Sequence, residues 1–114
     1  MQNYDGYPIA LDASVKLTNP ATTDILADTG ALAAGMYEAR VLVGASAAAI
    51  FAVQRRNAAN DANVGDVIVV YCGAGVSVQH PVRMQIEPNE RIRVTMEANL
   101  TGTGAAAIMA QRCG

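Results

Sequence analysis

The clearest pattern in this chain is an alternation of apolar and polar residues that runs from Val82 to Leu100. In residues 82–86 and again in residues 92–100, every second residue is apolar, and the residues between them are mostly charged or carry amide or hydroxyl groups. Successive side chains of a β-strand point to opposite faces, so a period of two is typical of a strand buried on one face. Pro88 and Asn89 indicate a turn between the segments. We therefore predict two half-buried strands joined by a short loop.

These two strands can be connected in two ways. If they pair directly, Ile86 faces Ile92 and Glu87 lies opposite Arg91, and such a charge pair contributes about 0.2–1 kcal/mol. In a sandwich of two sheets, the same turn instead carries the chain from one sheet to the other, and both apolar faces meet in the core. The sequence leaves both arrangements open.

Further short segments of strand-forming residues lie between turn signals along the rest of the chain. Residues 67–71 form a continuous apolar run, which predicts a strand covered on both faces. Residues 44–49, rich in Gly, Ala and Ser, predict a turn, with a closely packed symmetry axis as the alternative. About eight short strands at this spacing predict an all-β sandwich or barrel. The other segments are residues 13–18, 24–32, 36–43, 49–56, 76–80, which lead through Pro81 into residue 82, and 105–113.

The composition predicts contacts between subunits. Hydrophobic residues make up 52% of the 114 residues but aromatic residues only 4%, with no Trp, so the core has to be built from small and aliphatic side chains. That apolar total exceeds what a monomer of this size easily buries. We therefore expect an oligomer, and a monomer with an Ala-rich core is the alternative.

The charge and hydropathy of the chain argue against two classes of partner, nucleic acid and membranes. The formal net charge is −2, and the arginines are spread along the chain, so no basic patch for nucleic acid is evident. No segment approaches the roughly 18 continuous apolar residues of a membrane span, and the first residues lack the basic and apolar regions of a signal peptide. We expect neither nucleic acid nor a membrane as a partner.

Residues that often carry chemistry do not form a recognisable site. His80 is the only histidine, so a histidine-rich metal site is not expected, and Ser77 lies three residues away, which places it on the opposite face of a strand. The loop at residues 57–66 lacks the closing Glu of an EF-hand. Cys72 and Cys113 have no paired spacing and are predicted to be buried free thiols. We predict no catalytic residues, no metal, no cofactor and no enzyme activity, with His80 at a surface or strand edge.

A sugar-binding sandwich is a further alternative. Such sites usually stack the sugar on exposed aromatic rings, but Tyr37 and Tyr71 lie within predicted strands. We expect both of them to be core residues.

Residues 1–11 show no clear period and are predicted to be an N-terminal arm that precedes a β-sandwich domain at residues 12–114. The arm contains Tyr4, Tyr7, Pro8 and Ile9, which suit docking on a partner because Tyr offers a large contact area at low entropic cost. A frayed terminus is the other reading.

Three stretches, LAAGMYEARVLVGASAAAIFAVQRRNAAND, GDVIVVYCGAG and ERIRVTMEANLTGTGAAAIMA, resemble the decoration or cement proteins of tailed bacteriophages. The resemblance implies an antiparallel β-sandwich of jelly-roll type. It also implies a virion structural protein, often a homotrimer, that is made in the host cytoplasm. Such a protein binds the capsid exterior and clamps neighbouring subunits of the major capsid protein. In that setting we expect Tyr4, Tyr7, Pro8 and Ile9 to contact the coat. A module of a fibre or tail tip and a lectin-like sandwich remain the alternatives.

Overall fold

The alternating segments of the sequence become eight strands. The computed structural model describes the backbone of residues 10–113 and the side chains of residues 17–113, and this part of the chain contains no helix. The strands are β1 (Ala10–Thr18), β2 (Ile25–Asp28), β3 (Gly35–Ala45), β4 (Ala49–Arg56), β5 (Ile68–Cys72), β6 (Val76–Ile86), β7 (Arg91–Met96) and β8 (Thr103–Arg112).

The strands form two antiparallel sheets of four. Sheet A has the order β1-β8-β3-β6 and sheet B the order β2-β7-β4-β5. Each strand of the first half of the chain is therefore hydrogen-bonded to its counterpart in the second half: β1 to β8, β2 to β7, β3 to β6 and β4 to β5. This is the double-sheet arrangement of a jelly roll. The predicted fold class, an all-β antiparallel sandwich of jelly-roll type, is confirmed.

The core lies between the sheets and is built from alternate residues of facing strands. Ile86, Ile92 and Val94, which belong to the alternating segments of the sequence, are fully buried. Phe51 is the one phenylalanine, and it is also fully buried at the centre of β4. Most of the remaining core side chains are aliphatic, as the low aromatic content required.

The turn between β6 and β7 carries the chain from sheet A to sheet B. β6 pairs with β3, whereas β7 pairs with β2 and β4, so Ile86 and Ile92 meet across the core instead of along a hairpin. Asn89 allows this turn by adopting a left-handed conformation, with φ of 68°. Of the two arrangements that the sequence left open, the structure adopts the crossing between sheets.

A buried carboxylate fixes this crossing turn. Glu90 is only 7% exposed, and its Oε1 accepts hydrogen bonds from Arg55 Nε at 2.7 Å and from the backbone N–H of Glu87 at 2.8 Å. Arg55 Nη2 lies 2.7 Å from the same oxygen. The Leu32 N–H also donates to the Glu90 carbonyl oxygen at 2.8 Å. The turn is thus tied to β4 and to the loop between β2 and β3.

Several strand boundaries differ from the prediction. β2 is four residues long instead of covering residues 24–32, and β7 ends at Met96, because residues 97–100 turn the chain back toward sheet A. β6 runs without a break through Pro81, which is tolerated because β6 is an edge strand and proline lacks only the N–H group. β1 begins at Ala10 and so includes the last two residues of the predicted arm.

The prediction that the strand at residues 67–71 is covered on both faces is wrong. Val70 and Cys72 point into the core, but Val69 is 38% exposed and Tyr71 is 72% exposed. β5 is the edge strand of sheet B, and a two-layer sandwich covers only the inner face of each sheet. A continuous apolar run therefore has to leave apolar side chains on the outside.

The two cysteines are free thiols, as predicted. The prediction that both are buried is confirmed for Cys72, whose Sγ donates to the Val76 carbonyl oxygen at 3.0 Å, and is wrong for Cys113, which is partly exposed because it follows the last strand. Within residues 10–113 there is no helix long and apolar enough to cross a membrane.

Replacing Glu90 with Ala should lower the free energy of unfolding by about 3 kcal/mol, because it leaves the Arg55 guanidinium without its carboxylate at a largely buried site. Urea denaturation monitored by far-UV circular dichroism measures the loss. The matched control is Glu97→Ala, which removes the same charge from an exposed position. Equal unfolding midpoints for the two variants would contradict the role given to Glu90.

Candidate functional site

The sandwich presents two flat outer faces, which we call face A and face B after the sheets that form them. Both carry side chains that point away from the core, and the two faces differ in their charged and apolar residues. Face A is formed by β8, β3 and β6 together with β1, and face B by β2, β7, β4 and β5.

One half of face A is a polar groove of about 510 Å³. The strand register places Glu38 between Arg83 on β6 and Gln111 on β8. Two residues further along β3, Arg40 lies between Pro81 on β6 and Met109 on β8. The groove therefore carries both signs of charge.

The other half of face A centres on an exposed apolar side chain, Leu42. Leu42 is 41% exposed and lies between Gln79 on β6 and Ala107 on β8. In the next row, Gly44 lies between Ser77 and Ala105. Leu42 therefore has small residues on the β8 side and an exposed amide side chain on the β6 side.

Face B has an apolar half centred on an exposed tyrosine. Tyr71 on β5 pairs with Ile50 on β4, and Val69 pairs with Ala52 in the next row. Ile25 on β2 is exposed at the other end of the row that contains Val69, with the buried residues Thr95 and Ala52 between them. An open apolar depression of about 460 Å³ lies beside the Tyr71 ring. This half of the face offers a broad apolar contact area.

The expectation that Tyr71 is a core residue is wrong, whereas the same expectation for Tyr37 is confirmed. Tyr37 is 4% exposed, and its hydroxyl group donates to the Ala33 carbonyl oxygen at 2.8 Å. Tyr71 lies on an edge strand, where the ring points away from the core and nothing in residues 17–113 covers it. The alternation of inward and outward side chains separates the two tyrosines: Tyr37 lies on the inner face of β3, and Tyr71 lies on the outer face of β5.

The other half of face B is basic. Arg56 on β4 lies directly opposite Arg91 on β7, and Arg93 follows in the next row between Gln54 and Asp28. We call Arg56, Arg91 and Arg93 the arginine cluster. In the sequence the arginines are spread, and the pairing of β4 with β7 brings these three together.

Most hydrogen bonds that the arginine cluster donates go to neutral groups. Arg56 donates to Asn63 Oδ1 at 2.8 Å. It also donates to Asn60, to the side-chain Oδ1 at 3.2 Å and to the backbone carbonyl oxygen at 3.0 Å. Arg93 Nε donates to Gln54 Oε1 at 3.1 Å. Amide oxygens orient a guanidinium group without neutralising it.

A single carboxylate in the described part of the chain forms an ion pair with the cluster. Arg91 Nη1 lies 3.4 Å from both carboxylate oxygens of Asp28, which is long for a charged hydrogen bond. The pKa of Arg93 is lowered from its usual value, first by burial and then by the charges of Arg56 and Arg91, while Asp28 acts in the opposite direction. Three guanidinium groups and one carboxylate leave a local charge of about +2.

The predicted partner-binding residues Tyr4, Tyr7, Pro8 and Ile9 lie outside the described residues. His80 lies partly exposed on β6, an edge strand of sheet A, which confirms its predicted position. Residues 10–113 hold no group of three or more His, Cys, Asp and Glu side chains placed to bind a metal ion.

Comparisons with known proteins identify the fold. Neither a protein-family model nor a curated protein matches the sequence. Among solved structures, the globular domain of a zebrafish complement 1qA protein has a TM-score of 0.60 at 10% identity, covering 89% of this chain and 94% of that one.

A second similar structure is the N-terminal part of xylanase 10B from Clostridium thermocellum, which contains a carbohydrate-binding module and a catalytic module and was solved with xylohexaose. The TM-score is 0.56 at 14% identity, over 98% of this chain and 27% of that one. At these identities the likeness shows a jelly-roll-type sandwich and nothing finer.

Proposed function

We propose that this chain is a non-enzymatic binding module of a virion, which assembles as a symmetric homo-oligomer, expected to be a trimer, and stabilises a phage capsid from outside by clamping neighbouring coat subunits. The observation that carries the proposal is the exposure of large apolar side chains on both outer faces of one small sandwich. Leu42 lies on face A, and Tyr71, Val69 and Ile25 lie on face B. Two separate apolar surfaces suit a protein that contacts both its own copies and a second partner.

Face A is the better surface for self-association. Leu42 is an exposed apolar side chain beside Ala107 on β8, and Gln79 on β6 offers an amide group next to it, so a second copy can make both apolar and polar contacts there. The adjoining groove carries Glu38 together with Arg40 and Arg83, so charges of opposite sign are available to a neighbouring copy. Face B is less suitable for contact with itself, because the arginine clusters of two copies would repel each other.

Clamping needs no cofactor. A protein that binds only the assembled shell stabilises the shell by its own binding free energy. When several copies are joined in one symmetric oligomer, each further contact becomes intramolecular, and the overall affinity exceeds that of any single contact.

The Leu42→Glu variant should dissociate the oligomer, because it places a charge in the apolar part of face A. Light scattering coupled to size exclusion should give about three times 11.8 kDa for the unmodified chain and about 11.8 kDa for the variant. Val69→Glu on face B is the matched control, since Val69 is similarly exposed, and it should remain an oligomer. A monomeric unmodified chain, or dissociation by the control alone, would reject face A as the interface.

Deletion of residues 2–9 should weaken binding to expanded capsids by about tenfold or more, because it removes Tyr4, Tyr7, Pro8 and Ile9, our proposed anchors to the coat. The deletion stops before β1, so the mass of the oligomer should not change. Cosedimentation with capsids measures the binding. Unchanged cosedimentation would remove the arm from the coat contact.

A second candidate function, carbohydrate binding, is favoured by the exposed Tyr71 ring, which offers a surface on which a sugar can stack. The other aromatic residues within residues 17–113, Tyr37 and Phe51, are buried, so this platform would consist of one ring.

If this second candidate is correct, titration calorimetry with xylohexaose should give saturable binding that Tyr71→Ala abolishes and Leu42→Ala retains. The physical reason is that only the first substitution removes the stacking surface. A flat titration of the unmodified chain with xylohexaose and with other neutral oligosaccharides would reject this candidate.

A further inference from the structure

We propose that face B is the surface that docks on the partner protein, and that it takes an acidic region of that protein next to an apolar one. This inference rests on the proposed function, because it assigns the partner contact to a particular face. It does not depend on face A or on the number of copies in the oligomer.

The first support is the charge of face B. The arginine cluster places Arg56 directly opposite Arg91, and like charges at directly opposite positions of a sheet are unfavourable. The acceptors around Arg56 and Arg93 are mainly neutral amide groups, and the ion pair to Asp28 is long. The chain as a whole has a net charge of −2, so this positive area is a local feature with a specific attraction for anions.

The second support is the hydrogen-bonding capacity of the cluster. The Arg91 side chain is 25% exposed, and its Nη1 approaches the Asp28 carboxylate only to 3.4 Å. A guanidinium group presents several donors in one plane, which match the two oxygens of a carboxylate. A carboxylate that docks beside Arg91 and Arg93 would accept hydrogen bonds from the exposed parts of these side chains and offset the excess charge.

The third support is the apolar half of the same face. Tyr71 and Val69 on β5 and Ile25 on β2 share this face with the arginine cluster. The outward residues of β4 run from Ile50 to Arg56, about 20 Å at the rise of a strand. Exposed Tyr and Arg side chains side by side are the residue types that contribute most to protein interfaces.

These observations favour a protein over nucleic acid. The apolar half of face B has no complement on a phosphate backbone, and Asp28 lies within the basic half. A second copy of this chain is disfavoured because the cluster would meet its own charge.

The test uses fluorescence-labelled polymers as probes of the two halves of face B: poly-glutamate, a random copolymer of glutamate and tyrosine, and duplex DNA of similar charge. Anisotropy is measured at low salt with the full chain. The variant Arg91→Gln/Arg93→Gln should bind both polypeptides about tenfold or more weakly than the unmodified chain. The control Lys16→Gln removes a positive charge from β1 in sheet A and should change binding by less than about twofold.

The apolar half is tested in the same assay. The copolymer should bind the unmodified chain more tightly than poly-glutamate does, and Tyr71→Ser should remove that difference while leaving poly-glutamate binding unchanged. If the face B double variant proves unfolded by circular dichroism, Arg91→Lys/Arg93→Lys replaces it. That variant keeps the charge but loses the paired donors, and it should also weaken binding.

Equal losses for the Lys16→Gln control and the face B double variant would overturn the proposal, because they would mean that the attraction depends on overall charge and not on face B. Absence of polymer binding by the unmodified chain would also overturn it, as would tighter binding of DNA with the same dependence on the arginine cluster. Each of these results leaves the oligomer measured with Leu42→Glu unaffected, so the two proposals fail separately.

Discussion

The structure depends on a single constraint, the pairing of each strand in the first half of the chain with its counterpart in the second half. β3 pairs with β6 along its whole length and with β8 from Tyr37 to Ala45, and it connects these two strands within sheet A. None of these pairings is local except that of β4 with β5, so neither sheet can be completed until distant parts of the chain have met. The Arg55–Glu90 ion pair holds the turn that carries the chain from β6 in sheet A to β7 in sheet B.

A sandwich of two sheets leaves the outer face of every strand uncovered. These outer faces are the surfaces that are available for binding. The inner faces use the aliphatic residues, and the outer faces carry what the core does not require, such as Leu42 on face A and Tyr71 on face B. Exposed apolar side chains of this size add nothing to the stability of an isolated domain and favour association instead. Two solved structures share this architecture, at identities of 10% and 14%, so the likeness extends to the fold alone.

The arginine cluster illustrates how the register of a sheet can create a site that no short motif encodes. Arg91 and Arg93 are two residues apart and so share a face, but Arg56 joins them only because β4 pairs with β7 in this register. A shift of one residue would turn these side chains toward the core. Holding three positive charges together with amide acceptors costs stability in the free protein, and the carboxylate of the proposed partner would offset that cost.

The sequence by itself determined the period of the strands and hence the fold class. The strand Ala49–Arg56 has the predicted bounds, and the apolar positions around Ile86 and Ile92 are buried as their alternation required. The prediction for Tyr71 was wrong because a run of apolar residues shows that they are hydrophobic and does not show whether another layer covers them. The burial of Glu90 could not be predicted either, because no pattern in the neighbouring residues of the sequence indicates it. The tertiary structure alone decided which sheet each strand joins, where the turn at Pro88 leads and which arginines meet. The physical reason is that a period is set by the geometry of consecutive residues, whereas register and sheet membership are set by contacts between residues far apart in the chain.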